Sequence, residues 1–589
     1  MDIKEKIENW IKKTLKIKSD FVLTHPKYIK NGDYSFFAPA GKAEEFAKTL
    51  RLTPFAQGNF LSKIEVVGNF INFYLSKDFF SHSVKEILSK KEKFGAAFAK
   101  GFGEPRKIII EYTNTNVLKP MHIGHLMGNV IGESISRIIE SSGVEIKRNT
   151  YEGDVGLHIA KALWGITKLG GIIEGNTSQK DKYIGEAYST GSNAYEDDPN
   201  IQEEIKEINK KIFEKSDKNL IEVYEWGRKV SLEHFEELYK KLGTKFDFYF
   251  FESEVAEESL KIVKEYLKKG LFEESDGAII FRGEKFDPKL HTRVFVTKQN
   301  LPTYEAKDIA HAIRKYKEYK SDKSIVITAN EQNEYFKVML RALKEIKPEI
   351  ADQTMHLSHG MLKFSTGKMS SRTGDVITAE SLIEQVKEKI LEKMRDNGKV
   401  VPTLSVGTPT SAEDDKIAEI VAIGAIKYSI LRQAIGGDII FDFDKSISFE
   451  GDSGPYLQYA CVRANSVLEK AKESGVALDM SVWERVSHFA KASRDKQVKR
   501  PESFEITELE KYLYRFPEVV ERAGREYAPH YIVTYLIELA SIFNSFYANQ
   551  KIIDSSDPSS PYKIALTSAT AYILHSGLSL LGIKVPKRM

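Results

Sequence analysis

KIIIEYTNTNVLKPMHIGH, residues 107–125, decides the architecture. Its opening, Lys107–Tyr112, is an isoleucine run of the kind that forms a strand buried on both faces. A polar loop follows, and a helix is expected from about His122, with Pro120 where the chain turns in. A second strand is expected over Val144–Thr150, and strand–loop–helix–strand is how a parallel α/β sheet begins. Later strands are expected at Ala278–Phe281, Val294–Thr297 and Ser324–Thr328. Between them Gly170–Asp217 is polar and acidic, so it reads as an insertion rather than sheet core.

Upstream, a helix is expected over Lys4–Leu15 and strands at Phe21–Leu23, Tyr34–Phe37 and Asn69–Leu75. Lys100–Arg106, with two glycines and a proline, reads as a linker. Downstream, Val401–Asp415 is rich in Pro, Thr, Ser and acids and marks a second boundary. Beyond it apolar residues recur at helical spacing through Ile417–Leu431, Tyr456–Leu468 and Tyr531–Phe546, which reads as a bundle. The expectation is a multidomain α/β protein of three units. An N-terminal α+β domain covers 1–103, and a Rossmann-like parallel α/β catalytic domain covers 104–400 with an insertion at about 170–217. A C-terminal all-α bundle covers 401–589.

A chain of 589 residues exceeds one core and suits three or four domains of about 150 residues. The charged, amphipathic start MDIKEKIENW has neither signal-peptide nor transit-peptide character, and no apolar run reaches bilayer length. A cytoplasmic protein without a membrane segment is expected. The single cysteine, Cys461, rules out an internal disulfide and a Cys-rich zinc site and reads as a small core residue. The formal charge of +3, from 87 basic and 84 acidic residues, neither announces nor excludes a nucleic-acid partner.

Chemistry concentrates in two places. His122-Ile123-Gly124-His125 opens a helix, where free N–H groups and the dipole favour phosphate. The histidines, three apart, share one face of the first turn, and Gly124 lets a planar base approach the backbone. Metal binding is the competing reading of a histidine pair, but no neighbouring Cys or Glu completes a ligand set. Some 240 residues later, the loop FSTGKMSSRTG (364–374) carries Lys368 and Arg372 between glycines 367 and 374, so its cations can swing onto a triphosphate. Alone it reads better as a solvated basic loop.

Together the two clusters resemble the HIGH and KMSKS signatures of class I aminoacyl-tRNA synthetases. EYTNTNVLKPMHIGH, TYEGDVG, TYEAKDIAHA, SFEGDSGPYLQYA and the terminal VPKRM resemble segments of the arginyl family, in that family's order, from about Gly32 to Met589. The resemblance implies ATP-dependent aminoacylation of tRNA(Arg) with L-arginine through an arginyl-adenylate, with ATP and Mg2+ as co-substrate and no structural metal in the protein. A monomer is expected. It implies catalytic roles for His122, His125 and Lys368, and for Lys119, which takes the place of the second KMSKS lysine where this chain has Ser371. ATP contacts are implied at Gly124, Met361, Met369 and Ser370. Arginine contacts are implied at Glu111, Asn116, Tyr304, Asp308 and Gln332.

A guanidinium is planar, permanently charged and rich in donors, so carboxylates and an aromatic wall suit it. Tyr304 and Asp308, four apart, fall on one helix face, and Glu111 ends the strand feeding the HIGH loop. For tRNA the resemblance implies Phe70 and Asn72 at the N-terminal domain, with the C-terminal bundle binding the anticodon through Tyr456, Gln458, Tyr459, Arg463 and Met589. The departures are Ser371 and Val155, which stands where the family usually carries Trp. Another class I synthetase, a small nucleotidyltransferase and a non-catalytic tRNA-binding relative stand as alternatives. The lone cysteine, the long helical third, and intact His122, His125 and Lys368 respectively weigh against them.

Overall fold

A computed structural model describes residues 3–17, 21–95, 106–364, 377–397, 411–475, 501 and 503–589. Strand Lys107–Glu111 has Ile108, Ile109 and Ile110 buried, as a strand covered on both faces requires. It pairs in parallel with Glu145–Glu152 on one side and with Lys323–Ala329 on the other. Phe248–Phe251 and Thr354–His359 complete five parallel strands, one at each edge. Counted along the chain the order is 5-4-1-2-3, so the succession reverses at Lys107–Glu111. The crevice beyond the carboxyl ends at such a reversal is where open α/β sheets bind ligands.

Helix Ile123–Ser141 fills that reversal and is buried on nearly every face. Helices Ala379–Asn397 and Ser411–Leu431 pack against it, and one hydrophobic core runs without a break from the sheet into the helices of the last third. Cys461 lies in that core, its thiol pushed up to about 12 by burial, as a packing residue should be. Lys427 is buried at the same junction, donating to the Leu242 and Gly582 carbonyls at 2.5 and 2.6 Å.

The N-terminal unit is a four-stranded antiparallel sheet with its own core, closed by helices Ile3–Leu15 and Ala43–Arg51. Tyr514 from the distant helical third completes that core, and the Tyr34 hydroxyl donates to Glu518 Oε1 at 2.5 Å.

Three expectations need correction. The strands at Ala278–Arg282 and Thr292–Val296 exist, but with Glu273–Ser275 they make a separate antiparallel sheet. Asp276 and Gly277, both at positive φ, form a two-residue hairpin turn, and a hairpin cannot deliver parallel neighbours. Gly170–Asp217 adds no strand, but it is not merely polar surface. Helices Thr177–Asp197 and Pro199–Glu214 bury Ile184, Ala187, Ile205 and Ile212 against helix Leu157–Lys168 and its surroundings. The strand expected at Phe21–Leu23 forms over Leu23–Thr24. Residues 100–105 of the expected linker and 401–410 of the second boundary lie outside the described residues.

Candidate active site

At the carboxyl edge of the sheet the His122–His125 turn is built by its own side chains. His122 Nδ1 accepts from the Gly124 and His125 N–H groups at 3.1 and 3.4 Å, and His125 Nδ1 accepts from the His122 N–H at 3.3 Å. This reciprocal cap stacks the two rings at 3.6 Å. The first-turn N–H groups expected to be free for phosphate are therefore partly spent on the histidines. In exchange, each Nδ1 is fixed as an acceptor, which in a neutral imidazole leaves the proton on Nε2. Neutrality is secured electrostatically. Burial first, then Lys119, lowers His122 to about 4, and His125 is lowered well below its ordinary value by burial, His122 and Lys119. Gly124 has a second reason to be glycine: a Cβ there would stand 2.9 Å from His122 Cε1.

Lys119 lies 5.3 Å from the centre of the Tyr188 ring, a residue of the insertion. Lys368, Met369, Ser370, Ser371 and Arg372 lie outside the described residues. Their flanks are described. Phe364 closes strand Leu362–Phe364, and the chain resumes at Ile377 directly against the histidine turn. The Ile123 N–H donates to the Ile377 carbonyl at 3.3 Å, and the Ala379 N–H donates to the Met121 carbonyl at 2.8 Å. The two distant clusters are thus stitched together at the downstream flank of the second. Met361 follows the edge strand, held by backbone bonds to Asp438 Oδ1 and the Ile439 N–H.

At the same sheet edge lies a cluster of carboxylates, Glu111, Asp154 and Glu252 buried and Asp308 half-buried. Glu111 ends its strand facing inward, not to solvent. Its Oε2 accepts from Asn149 at 2.9 Å, Lys315 at 2.7 Å and His311 at 2.7 Å. Burial opposes its charge, yet Lys315 and His311 hold the carboxyl well below the usual range. Glu252 is likewise bonded to Lys307, and Asp154 to Arg228. Asp308 differs: its partner is the Tyr335 hydroxyl, and among the described residues it has no ion pair. Burial above all, with Glu111 and Glu252 nearby, pushes Asp308 up to about 7 against the opposing effects of Tyr335 and Lys307. The Tyr151 hydroxyl, under the influence of the same four carboxylates, is buried with no hydrogen-bond partner among the described residues. Tyr304, 54% exposed, stands at the mouth on the first turn of the Asp308 helix, with Lys307 Nζ 4.5 Å from its ring centre. Asn116 bridges in parallel register to Gly153 on the next strand's extension, and a Cβ at Gly153 would fall 2.2 Å from its Oδ1. Gln332 is exposed at the turn that follows strand Lys323–Ala329.

The chain's likenesses agree with this geometry. The family model described as the catalytic domain of class I (R) tRNA synthetases matches residues 83–443, and the DALR anticodon-binding domain matches 457–589. The chain belongs to the class I arginyl-tRNA synthetase family. It is 29% identical over 578 residues to an arginine–tRNA ligase of Streptococcus mutans, covering 96% of each chain. With that of Clostridium acetobutylicum it shares 30% over 559 residues, 92% of each. The fold is that of Thermus thermophilus arginyl-tRNA synthetase, at a TM-score of 0.75 and 22% identity over the whole of both chains.

Of the residues the family resemblance assigned to tRNA, Phe70 is 47% exposed and packs edge-on, at 5.0 Å, against Phe37, which is 58% exposed. It is not core. Asn72 is buried and its Oδ1 accepts from Ser35 Oγ at 2.7 Å, so it has no free face for a partner. Gln458 is fully buried and donates to the carbonyls of Lys584, at 2.7 Å, and Ile420, at 3.3 Å. Both therefore lie beneath the surface, bonded within the protein. Tyr456, Tyr459 and Arg463 form one half-buried patch: Asn544 donates to the Tyr456 hydroxyl at 2.9 Å, and Arg463 donates to Asn544 at 2.7 Å and to the Tyr459 hydroxyl at 3.1 Å. Met589 packs partly buried against the main core. Val155 is buried in the same core, so the departure from Trp is met by packing.

Sequence reasoning missed Tyr335, Tyr151, Glu252 and Lys307, which complete the acidic pocket, and Phe37. Lys307 sits inside the quoted TYEAKDIAHA and was legible there. Tyr151 likewise sits inside the quoted TYEGDVG, whereas Tyr335 lies outside every quoted segment. Among the described residues no helix is long and apolar enough to cross a membrane.

Proposed function

We propose that this site activates L-arginine with ATP and transfers it to the terminal adenosine of tRNA(Arg), releasing pyrophosphate and then AMP. One observation carries the amino-acid assignment: Asp308 is a half-buried carboxyl with no ion pair among the described residues, near a tyrosine hydroxyl that has no hydrogen-bond partner among them. A guanidinium supplies the missing charge and the missing hydrogen bonds at once. Glu111, already bonded to Lys315 and His311, shapes the field and anchors the pocket floor more than it grips the ligand. Tyr304 forms the outer wall, and Asn116 and Gln332 take the α-amino and carboxylate groups.

The reaction is attack by the arginine carboxylate on the α-phosphorus, with charge building on the phosphoryl oxygens and on the departing pyrophosphate. His122 and His125 meet that charge as neutral Nε2–H donors locked in position before the reaction, which is where fixed donors lower a barrier most. Lys119 approaches from the turn, and Lys368 from the segment whose downstream flank is tied to residues 121–123. Gly124, Met361, Met369 and Ser370 hold the nucleotide, and Mg2+ accompanies ATP as co-substrate. Phe70 with Phe37, and Tyr456, Tyr459, Arg463 and Met589, offer aromatic and cationic groups to unpaired bases and phosphate at the two outer units. These units, with the catalytic one between them, give the three-part division 1–103, 104–400 and 401–589. The enzyme works as a cytoplasmic monomer.

Adenylate formation requires tRNA in this reading. Pyrophosphate exchange with arginine, ATP and magnesium is expected only when tRNA is added. Equal exchange without it contradicts the requirement.

A further inference from the structure

Asp181, His234 and Glu380 meet at a point the reaction does not use. Asp181 lies on the insertion helix Thr177–Asp197, His234 on helix Lys218–Leu242, and Glu380 in the first turn of helix Ala379–Asn397. The side chain of His234 is 5% exposed and that of Asp181 10%, while that of Glu380 is 39% exposed.

His234 Nε2 stands 3.5 Å from Asp181 Oδ2 and 3.6 Å from Glu380 Oε2, and the three ligand atoms all lie within 4.8 Å of one another. These separations are too long for the charge-assisted hydrogen bonds a buried histidine makes with carboxylates, which close to about 2.7–2.9 Å. They match the edge of a coordination tetrahedron, about 3.4 Å for bonds of about 2.1 Å. The histidine gains nothing on its other side, because Nδ1 is buried with no hydrogen-bond partner among the described residues. Among the described residues, the charged groups acting on Asp181 are His234 and Glu380, and no lysine or arginine acts on it. Buried charges are ordinarily paired or bound to metal.

We propose that Asp181, His234 and Glu380 form a site for one first-row divalent cation, zinc fitting best, with water completing four ligands. One imidazole with two carboxylates suits a borderline cation over magnesium, which rarely takes nitrogen. The site departs from the expectation of a protein without a structural metal. Its three elements are those that hold that turn from behind. Leu118 N–H donates to Ser231 Oγ at 2.9 Å, Gly185 faces Pro120, and Glu380 follows the residues that pair with Met121–Ile123. An ion here would fasten the insertion to the helix that follows the second motif.

The test is equilibrium binding of zinc and of cobalt to the full chain, stripped by chelator, with metal content per chain measured after desalting. The wild type is expected to retain one equivalent, and its cobalt form to show the intense visible bands of four-coordinate geometry. His234→Gln is expected to lower affinity at least tenfold and abolish those bands. Glu380→Gln, at a partly exposed position that folding tolerates, is expected to do the same. No stoichiometric uptake by the wild type overturns the proposal, as does equal uptake with unchanged bands in both variants.

Discussion

Burial and the neighbouring acids push the Asp308 carboxyl up to about 7. The sign follows directly. Below about 7 the group is protonated and neutral in the empty pocket, and the attraction to a guanidinium is lost; above it the carboxylate is available. The Michaelis constant for arginine is therefore expected to rise as pH falls from 8 to 6, approaching about tenfold per unit at the acid end. Arginine titrations across that range, with the constant for ATP as control, check this, and a flat arginine profile contradicts it. His122, lowered to about 4, stays neutral throughout the same range and adds no limb of its own. Tyr304, Asp308 and Glu111 were legible only through the family resemblance, with helical spacing placing the first two on one face. Legibility stopped at the state of each group. Only the fold reveals that Glu111 is already matched by Lys315 and His311 while Asp308 is not.

At the scale of elements, the turn that opens helix Ile123–Ser141 couples stability and activity in opposite directions. Gly124→Ala favours the helix by about 1 kcal/mol. Its Cβ, however, would enter within 2.9 Å of His122 Cε1 and displace a ring whose Nδ1 caps the helix. The expected outcome is an unfolding midpoint unchanged or slightly raised, with kcat falling at least about tenfold as a fixed donor leaves its place. Steady-state aminoacylation and thermal unfolding on the same preparation check both halves. A variant with wild-type kcat contradicts the positioning role. The strand and helix here were readable because the isoleucine run and the Pro120–His122 turn signal are local. The antiparallel sheet around Asp276–Gly277 was misplaced because its strands look alike whichever sheet they join, and pairing is decided by a two-residue turn. Asn72 and Gln458 show the converse: motif membership marked both residues, but not that each faces inward.

At the scale of the whole molecule, the N-terminal unit meets the helical third along a broad junction, in which Glu518 bonds Tyr34 and His25 and Tyr514 enters the N-terminal core. Glu518→Ala removes a charged acceptor from the Tyr34 hydroxyl, a cost of about 1.5–3 kcal/mol. It is expected to lower the urea midpoint and raise the Michaelis constant for tRNA several-fold, with those for arginine and ATP unchanged; an unaltered tRNA constant contradicts a role for this junction in placing the N-terminal surface. No sequence pattern joined residues 34 and 518, since a contact across 484 positions leaves no periodicity to read.

Steady-state aminoacylation by Asp308→Asn tests most directly whether Asp308 is the partner of the arginine side chain. Loss of a charge-assisted hydrogen bond costs about 1.5–3 kcal/mol, which corresponds to a rise of roughly ten- to a hundredfold in the arginine Michaelis constant. The ATP and tRNA constants should stay near wild type. An arginine constant that does not move would contradict the assignment of the pocket.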